Sequence, residues 1–191
     1  MLALIEKKLK IRKLFDKFTF KINPNIISVL ALIAAVVAGY LFYANRFVLA
    51  GLFVLLNGFF DLLDGQIAKK YNLTTDFGDF IDHTFDRLSD VAIFVGIAIS
   101  GVVPKEVGFA TVIVVLLVSY LGTQAQAISK KRLYAGIMGR ADRLMLLFLA
   151  SLLTVVYTNA LYYIIWIILG LSVLTFIQRF ILSKKIICDS R

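Results

Sequence analysis

The chain has 191 residues, of which 60% are hydrophobic and only 17% charged, with a formal net charge of +9. Soluble domains of this length carry a charged fraction nearer a quarter; here the charges gather at a few places between long apolar runs, which excludes an ordinary water-soluble fold and predicts a polytopic membrane protein with spans of roughly 20 residues. A single cysteine, Cys188, excludes a disulfide framework and a thiolate metal site.

Residues 1–23 are basic, with hydrophobes interleaved at Leu2, Ile5, Leu9, Leu14, Phe15 and Phe18. This pattern predicts an amphipathic helix lying in the membrane interface, with anionic lipid rather than nucleic acid as its partner. Asn23-Pro24-Asn25 breaks that helix, with Asn25 as the expected N-cap of the first span. The first apolar run leads into further spans without a small-residue cleavage site, so no removable leader is expected.

Residues 24–191 are predicted to form one all-α domain of six transmembrane helices, running about Ile26 to Tyr43, Phe47 to Ala68, Phe77 to Val102, Val107 to Ile128, Leu144 to Tyr157 and Leu161 to Leu182. The fifth is short and is expected to begin nearer Ile137. An even number of spans gathers nineteen of the 21 Lys and Arg residues on one side and leaves Arg46 and Lys105 for the other. The positive-inside rule then predicts a multi-pass protein of the cell membrane with both termini cytoplasmic.

Seven of the twelve acidic residues fall between Asp61 and Asp90, at the cytoplasmic ends of the second and third spans. Carboxylates at membrane depth are costly and pair, bind cations or do chemistry. Asp61 and Asp64 are three apart and Asp82 and Asp86 four apart, so each pair shares a helix face. If the two helices are antiparallel neighbours, four carboxylates converge. Their mutual repulsion calls for a counter-cation, and hard divalent ions such as Mg²⁺ or Mn²⁺ prefer oxygen ligands. Gly65 and Gly78 leave the backbone open beside the carboxylates, and Lys69 can reach an anion held there. The residues by themselves lead to metal-dependent chemistry, or ion binding, at a phosphate group.

Asp61, Asp64, Gly65, Ala68, Gly78, Asp82 and Asp86 stand at every spacing of D-x-x-D-G-x-x-A-R-x8-G-x-x-x-D-x-x-x-D, with Lys69 in the place of the arginine. The chain thereby resembles the class I CDP-alcohol phosphotransferases, and the likeness extends to the six-span layout. The resemblance implies transfer of a phosphatidyl-type or archaetidyl group from a CDP-linked lipid to an alcohol, with release of CMP. It implies two divalent ions held by Asp61, Asp64, Asp82 and Asp86, with Asp86 also the general base. It further implies donor contacts from Pro24, Asn25, Ile26, Ile27, Gly65, Lys69, Thr75 and Gly78, and a homodimer.

Taken alone, Arg140 and Arg143 read as part of a solvated, basic loop. The stretch Gly136 to Leu144 is similar to the G-x-x-x-R-A-[DE]-R-L pattern of the inositol-phosphate branch of the family. That similarity implies that Arg140 and Arg143 bind an acceptor phosphate, for which planar guanidinium forks suit. That branch carries further basic residues after the Ser-Tyr of its fourth helix, whereas Leu121 to Gln126 here is neutral, which keeps glycerol phosphate as the alternative acceptor. His83 is expected to point away from the metal side, Asp79 and Asp90 to extend the acidic stripe, and Asp76 to cap the third helix. A divalent-cation transporter is the competing class; the crowding of carboxylates at one face argues against it, since the outer half offers little beyond Asn57, Gln124 and Gln126.

Overall fold

Pro24 opens the first helix from the position where its missing N–H costs nothing, and Asn23 Oδ1 accepts a hydrogen bond from the Asn25 amide at 3.1 Å. The N-cap is therefore Asn23, two residues before the one expected. The computed structural model describes residues 22–129 and 136–189, within which every regular element is an α-helix. These are α1 Pro24–Tyr43, α2 Phe47–Lys70, α3 Asp76–Ile99, α4 Lys105–Ser129, α5 Arg140–Leu153 and α6 Ala160–Asp189. The interfacial helix expected over residues 1–23 lies outside the described residues, apart from Ile22 and Asn23, as do Lys130, Lys131 and Arg132.

Four of the helices, α1, α2, α4 and α6, are long and apolar enough to cross a membrane. The 24 residues of α3 would reach as far, but its first half carries the acidic stripe. The 14 residues of α5 rise only about 21 Å, short of a hydrocarbon core of roughly 30 Å. Thr75, not Asp76, caps α3: its hydroxyl accepts from the Gly78 amide at 3.0 Å. Asp76 takes the first helical position, where a negative charge suits the helix dipole.

The six helices close a ring in which α1 lies against both α2 and α3, α3 against α4, α4 against α6, α6 against α5, and α5 against α2. α2 and α3 barely touch, because α1 is wedged between them. The expected direct neighbourhood of the two aspartate-bearing helices is thus a three-helix arrangement. Lipid tails are as apolar as leucine, so such helices associate by close packing rather than by leaving a solvent. Gly39 of α1 and Gly96 of α3 provide it: a Cβ on Gly96 would stand 2.1 Å from the Gly39 carbonyl oxygen. Phe42, Val54, Ile93, Phe94, Ile97, Leu147, Leu161 and Ile165 fill the centre, while Val36, Tyr40, Leu49, Ile113 and Trp166 face outward.

Candidate metal and phosphate centre

The carboxylates meet alongside the first two turns of α1, where Ser28 and Ala31 line the same cleft. Oxygen atoms of Asp61, Asp64 and Asp82 come within 4.8 Å of one another. Asp82 and Asp86 form a second group of that size with a ring nitrogen of His83, which therefore approaches the cluster more closely than its helical position implies. His83 Nε2 also lies 3.6 Å from Asp79 Oδ2. Asp64 is buried, and Ser28 of α1, one turn after Pro24, donates its hydroxyl to Asp64 Oδ2 at 2.6 Å. Ser28, Asp61, Asp64, Asp82, Asp86 and Arg140 bound a narrow cleft. The donor set fits a hard divalent ion: it is made of carboxylate oxygens on two helices, and it already draws a positive side chain onto itself.

That side chain is Arg140. Its Nη1 lies 2.8 Å from Asp61 Oδ2 and 2.7 Å from Asp86 Oδ1. Its Nε approaches Asp90 Oδ1 at 3.4 Å, and its Nη2 donates to Asn57 Oδ1 at 3.3 Å. Asn57 is fully buried and donates in turn to the Ala31 carbonyl at 2.9 Å, tying α2, α1 and α5 together at this point. Asn57 is one turn from Asp61 and belongs to the carboxylate end of the fold, not to the outer half where the sequence suggested it. Arg143 is 1% exposed and gives Nη2 to Asp90 Oδ2 at 3.0 Å, while its Nε has no partner among the described residues. Neither arginine is part of a solvated loop. Asp90 lies between the two guanidinium groups, buried to 3% exposure.

The approach to α5 is held from α6. The Met138 amide donates to Thr175 Oγ1 at 3.1 Å and the Ile137 amide to Gln178 Oε1 at the same distance. Gly136 has φ +128°, and a Cβ there would stand 2.4 Å from Thr175 Cγ2, so only glycine fits. Asp142 Oδ2 accepts from the Gly139 amide at 2.9 Å and closes the first turn of α5, with Arg140 as its first residue.

Two spaces flank the carboxylates. On one side a cavity of about 190 Å³ is lined by Pro24, Asn25, Gly65, Lys69, Thr75 and Gly78 together with Asp64 and Asp82. A Cβ on Gly65 would meet nothing within 4 Å, so the backbone there is open to the cavity. Ile26 and Ile27 do not line it: Ile26 faces outward, and Ile27 packs on Leu63 and Ile67. On the other side a cavity of about 620 Å³ has apolar walls that include Leu55, Phe59, Leu62, Leu144 and Met145, and it ends at Asp61, Asp86 and Arg140. Sequence reasoning had no role for Ser28 and did not link Asn57 or Asp90 to Arg140. The available signals were helical spacing, Ser28 four residues after Pro24, Asn57 four before Asp61, and Asp90 four after Asp86.

The sequence profile of CDP-alcohol phosphatidyltransferase matches residues 21–177. Archaetidylinositol phosphate synthase of Pyrococcus horikoshii is 37% identical over 164 residues, covering 86% of this chain and 85% of that protein. The crystal structure of phosphatidylinositol phosphate synthase from Mycobacterium tuberculosis with CDP-DAG bound superposes with a TM-score of 0.76 and 25% identity, covering 85% of this chain and 86% of that one. The same synthase in complex with manganese and citrate superposes equally well, at 24% identity, covering 85% of this chain and 82% of that one.

Proposed function

The chain belongs to the CDP-alcohol phosphatidyltransferase family, and we propose that it transfers the lipid phosphate of a CDP-linked lipid to inositol phosphate, releasing CMP. The observation that carries this reading is the place of the carboxylates, between a polar cavity and an apolar one. A donor with a nucleotide head and a hydrocarbon tail needs both compartments, with its pyrophosphate where they meet. Asn25, Lys69 and Thr75 then face the nucleotide side, and the open backbone at Gly65 and Gly78 lets a phosphate approach closely. Lys69 supplies charge to the pyrophosphate without the bidentate fork of an arginine.

Asp61, Asp64, Asp82 and Asp86 are the residues that would hold divalent ions, Mg²⁺ or Mn²⁺ and two in number. Bound there, such ions would neutralise the pyrophosphate oxygens and improve CMP as a leaving group. Asp86 takes the proton from the acceptor hydroxyl, whose oxygen forms a bond to the lipid phosphorus while the bond from that phosphorus to the CMP oxygen breaks. Arg140, at the mouth of the apolar cavity beside Asp86, suits the phosphate already present on the acceptor. Arg143 supports Arg140 through their shared partner Asp90. The protein would work as a six-span homodimer with an interfacial helix at its amino end and the site facing the cytoplasm.

The test is CMP release by the purified protein in detergent–lipid micelles with Mn²⁺ and a CDP-linked lipid. Inositol phosphate, glycerol phosphate, free inositol and serine are compared, with Asp86→Asn as the blank. Release with inositol phosphate alone supports the reading; release with glycerol phosphate alone replaces the acceptor, and release with none overturns it. Uptake of Mn²⁺ into proteoliposomes without CMP release would point to a cation pathway instead.

A further inference from the structure

Arg140 Nη1 stands on the same two aspartates, Asp61 and Asp86, that belong to the ligand set. A guanidinium corner and a divalent ion on those two carboxylates are like charges only a few ångström apart, and their repulsion makes them compete for the site. The other corners of the same guanidinium are held elsewhere, Nε by Asp90 and Nη2 by Asn57. Neither of those residues belongs to the ligand set, and both are buried. Arg140 can therefore leave Asp61 and Asp86 without leaving the site. The large cavity it borders has no other cationic side chain among its lining residues.

We propose that Arg140 is the built-in counter-cation of the carboxylate cluster, exchanged off Asp61 and Asp86 by a divalent ion, so that ion binding frees its guanidinium for the phosphate of the acceptor. The second half of the statement rests on the function proposed above; the exchange itself does not. Before exchange, the guanidinium charge is spent on three carboxylates and is a poor anion receptor. After exchange, Nη1 turns to the cavity while Asp90 keeps the side chain in reach. Because binding free energies are linked, whatever factor the ion adds to phosphate affinity the phosphate must add to ion affinity. The acceptor then binds productively only to metal-loaded protein.

The first test is Mn²⁺ affinity, read from the electron paramagnetic resonance signal of free Mn²⁺ over the purified protein, with no lipid donor or acceptor present. Arg140→Gln should bind Mn²⁺ about five-fold more tightly or better, and Arg140→Lys, which keeps the charge, should stay closer to the wild type. An Arg140→Gln protein with an unchanged thermal midpoint and equal or weaker Mn²⁺ affinity overturns the proposal. Should the substitution prevent folding, the wild-type protein decides: modification of Arg140 by phenylglyoxal, followed by peptide mass spectrometry, should speed up on adding Mn²⁺. An unchanged or slower rate overturns the proposal. Tighter Mn²⁺ binding by Arg140→Gln without any CMP release by the wild-type protein would leave the exchange standing and remove the transferase reading; CMP release by the wild type with unchanged Mn²⁺ affinity in Arg140→Gln would do the reverse.

Discussion

Asp86 has two claims on it, as a ligand and as the base, and a single substitution separates donor binding from turnover. Asp86→Asn keeps the shape and one oxygen but cannot take a proton, so turnover should fall by about 10²–10⁴ while CDP-lipid binding is largely retained. Rapid-quench CMP release and equilibrium binding of the donor measure the two separately, and normal turnover would remove Asp86 as the base. Ser28 offers a finer test. Its hydroxyl holds Asp64 Oδ2 at 2.6 Å, and loss of such an orienting bond typically costs roughly 10–100-fold in metal affinity. Ser28→Ala should therefore weaken Mn²⁺ binding, as seen by titration of the free ion, with little change in KM for the acceptor at saturating Mn²⁺. Of these two residues only Asp86 stood out in the sequence. A carboxylate at membrane depth is conspicuous because lipid penalises it, whereas a serine in an apolar helix carries no such signal until the partner helix places Asp64 against it.

The helices themselves were legible because the bilayer sets their length and turn residues set their ends. Five of the six expected spans begin within about two residues of the observed helices, and α5, expected from Leu144 or from nearer Ile137, begins at Arg140 between them. What spacing could not reveal is which helices touch. Asp61 and Asp64 converge directly on Asp82 and Asp86 although α2 and α3 themselves barely touch, since each packs against α1, α3 backbone to backbone at Gly39 and Gly96. Arg140 and Asp90 are 50 positions apart, so their pairing is a product of the closed ring and has no local signature. The glycine contact makes a prediction at this scale. Gly96→Leu would force its side chain into the Gly39 carbonyl and push α1 off α3, with overpacking of this kind costing about 1–3 kcal/mol. Ser28 travels with α1, so the variant should lose thermal stability in detergent and Mn²⁺ affinity together. A lowered midpoint with unchanged Mn²⁺ binding would show that the metal centre does not depend on that packing.

The closed ring also bears on how the molecule stands in a membrane. α6 has 30 residues and rises about 45 Å, more than a hydrocarbon core of roughly 30 Å, so it tilts or extends beyond the core at one end. The end carrying Lys184, Lys185 and the exposed Cys188 is the natural one, since lysines favour the cytoplasmic side. Arg46 and Lys105 open α2 and α4 at the opposite end of the helix pairs that hold the aspartates. A membrane-impermeant thiol reagent should accordingly label Cys188 in inside-out vesicles and not in intact cells. Lys105→Cys, made in a Cys188→Ser background, should show the reverse. Labelling of both positions from one side would mean an even number of spans between them, where the six-span layout has α4, α5 and α6, and would break that layout. The consequence would reach the chemistry: the carboxylates lie toward the Lys69 end of α2, so the side that reaches Cys188 is the side from which a soluble phosphorylated acceptor must arrive.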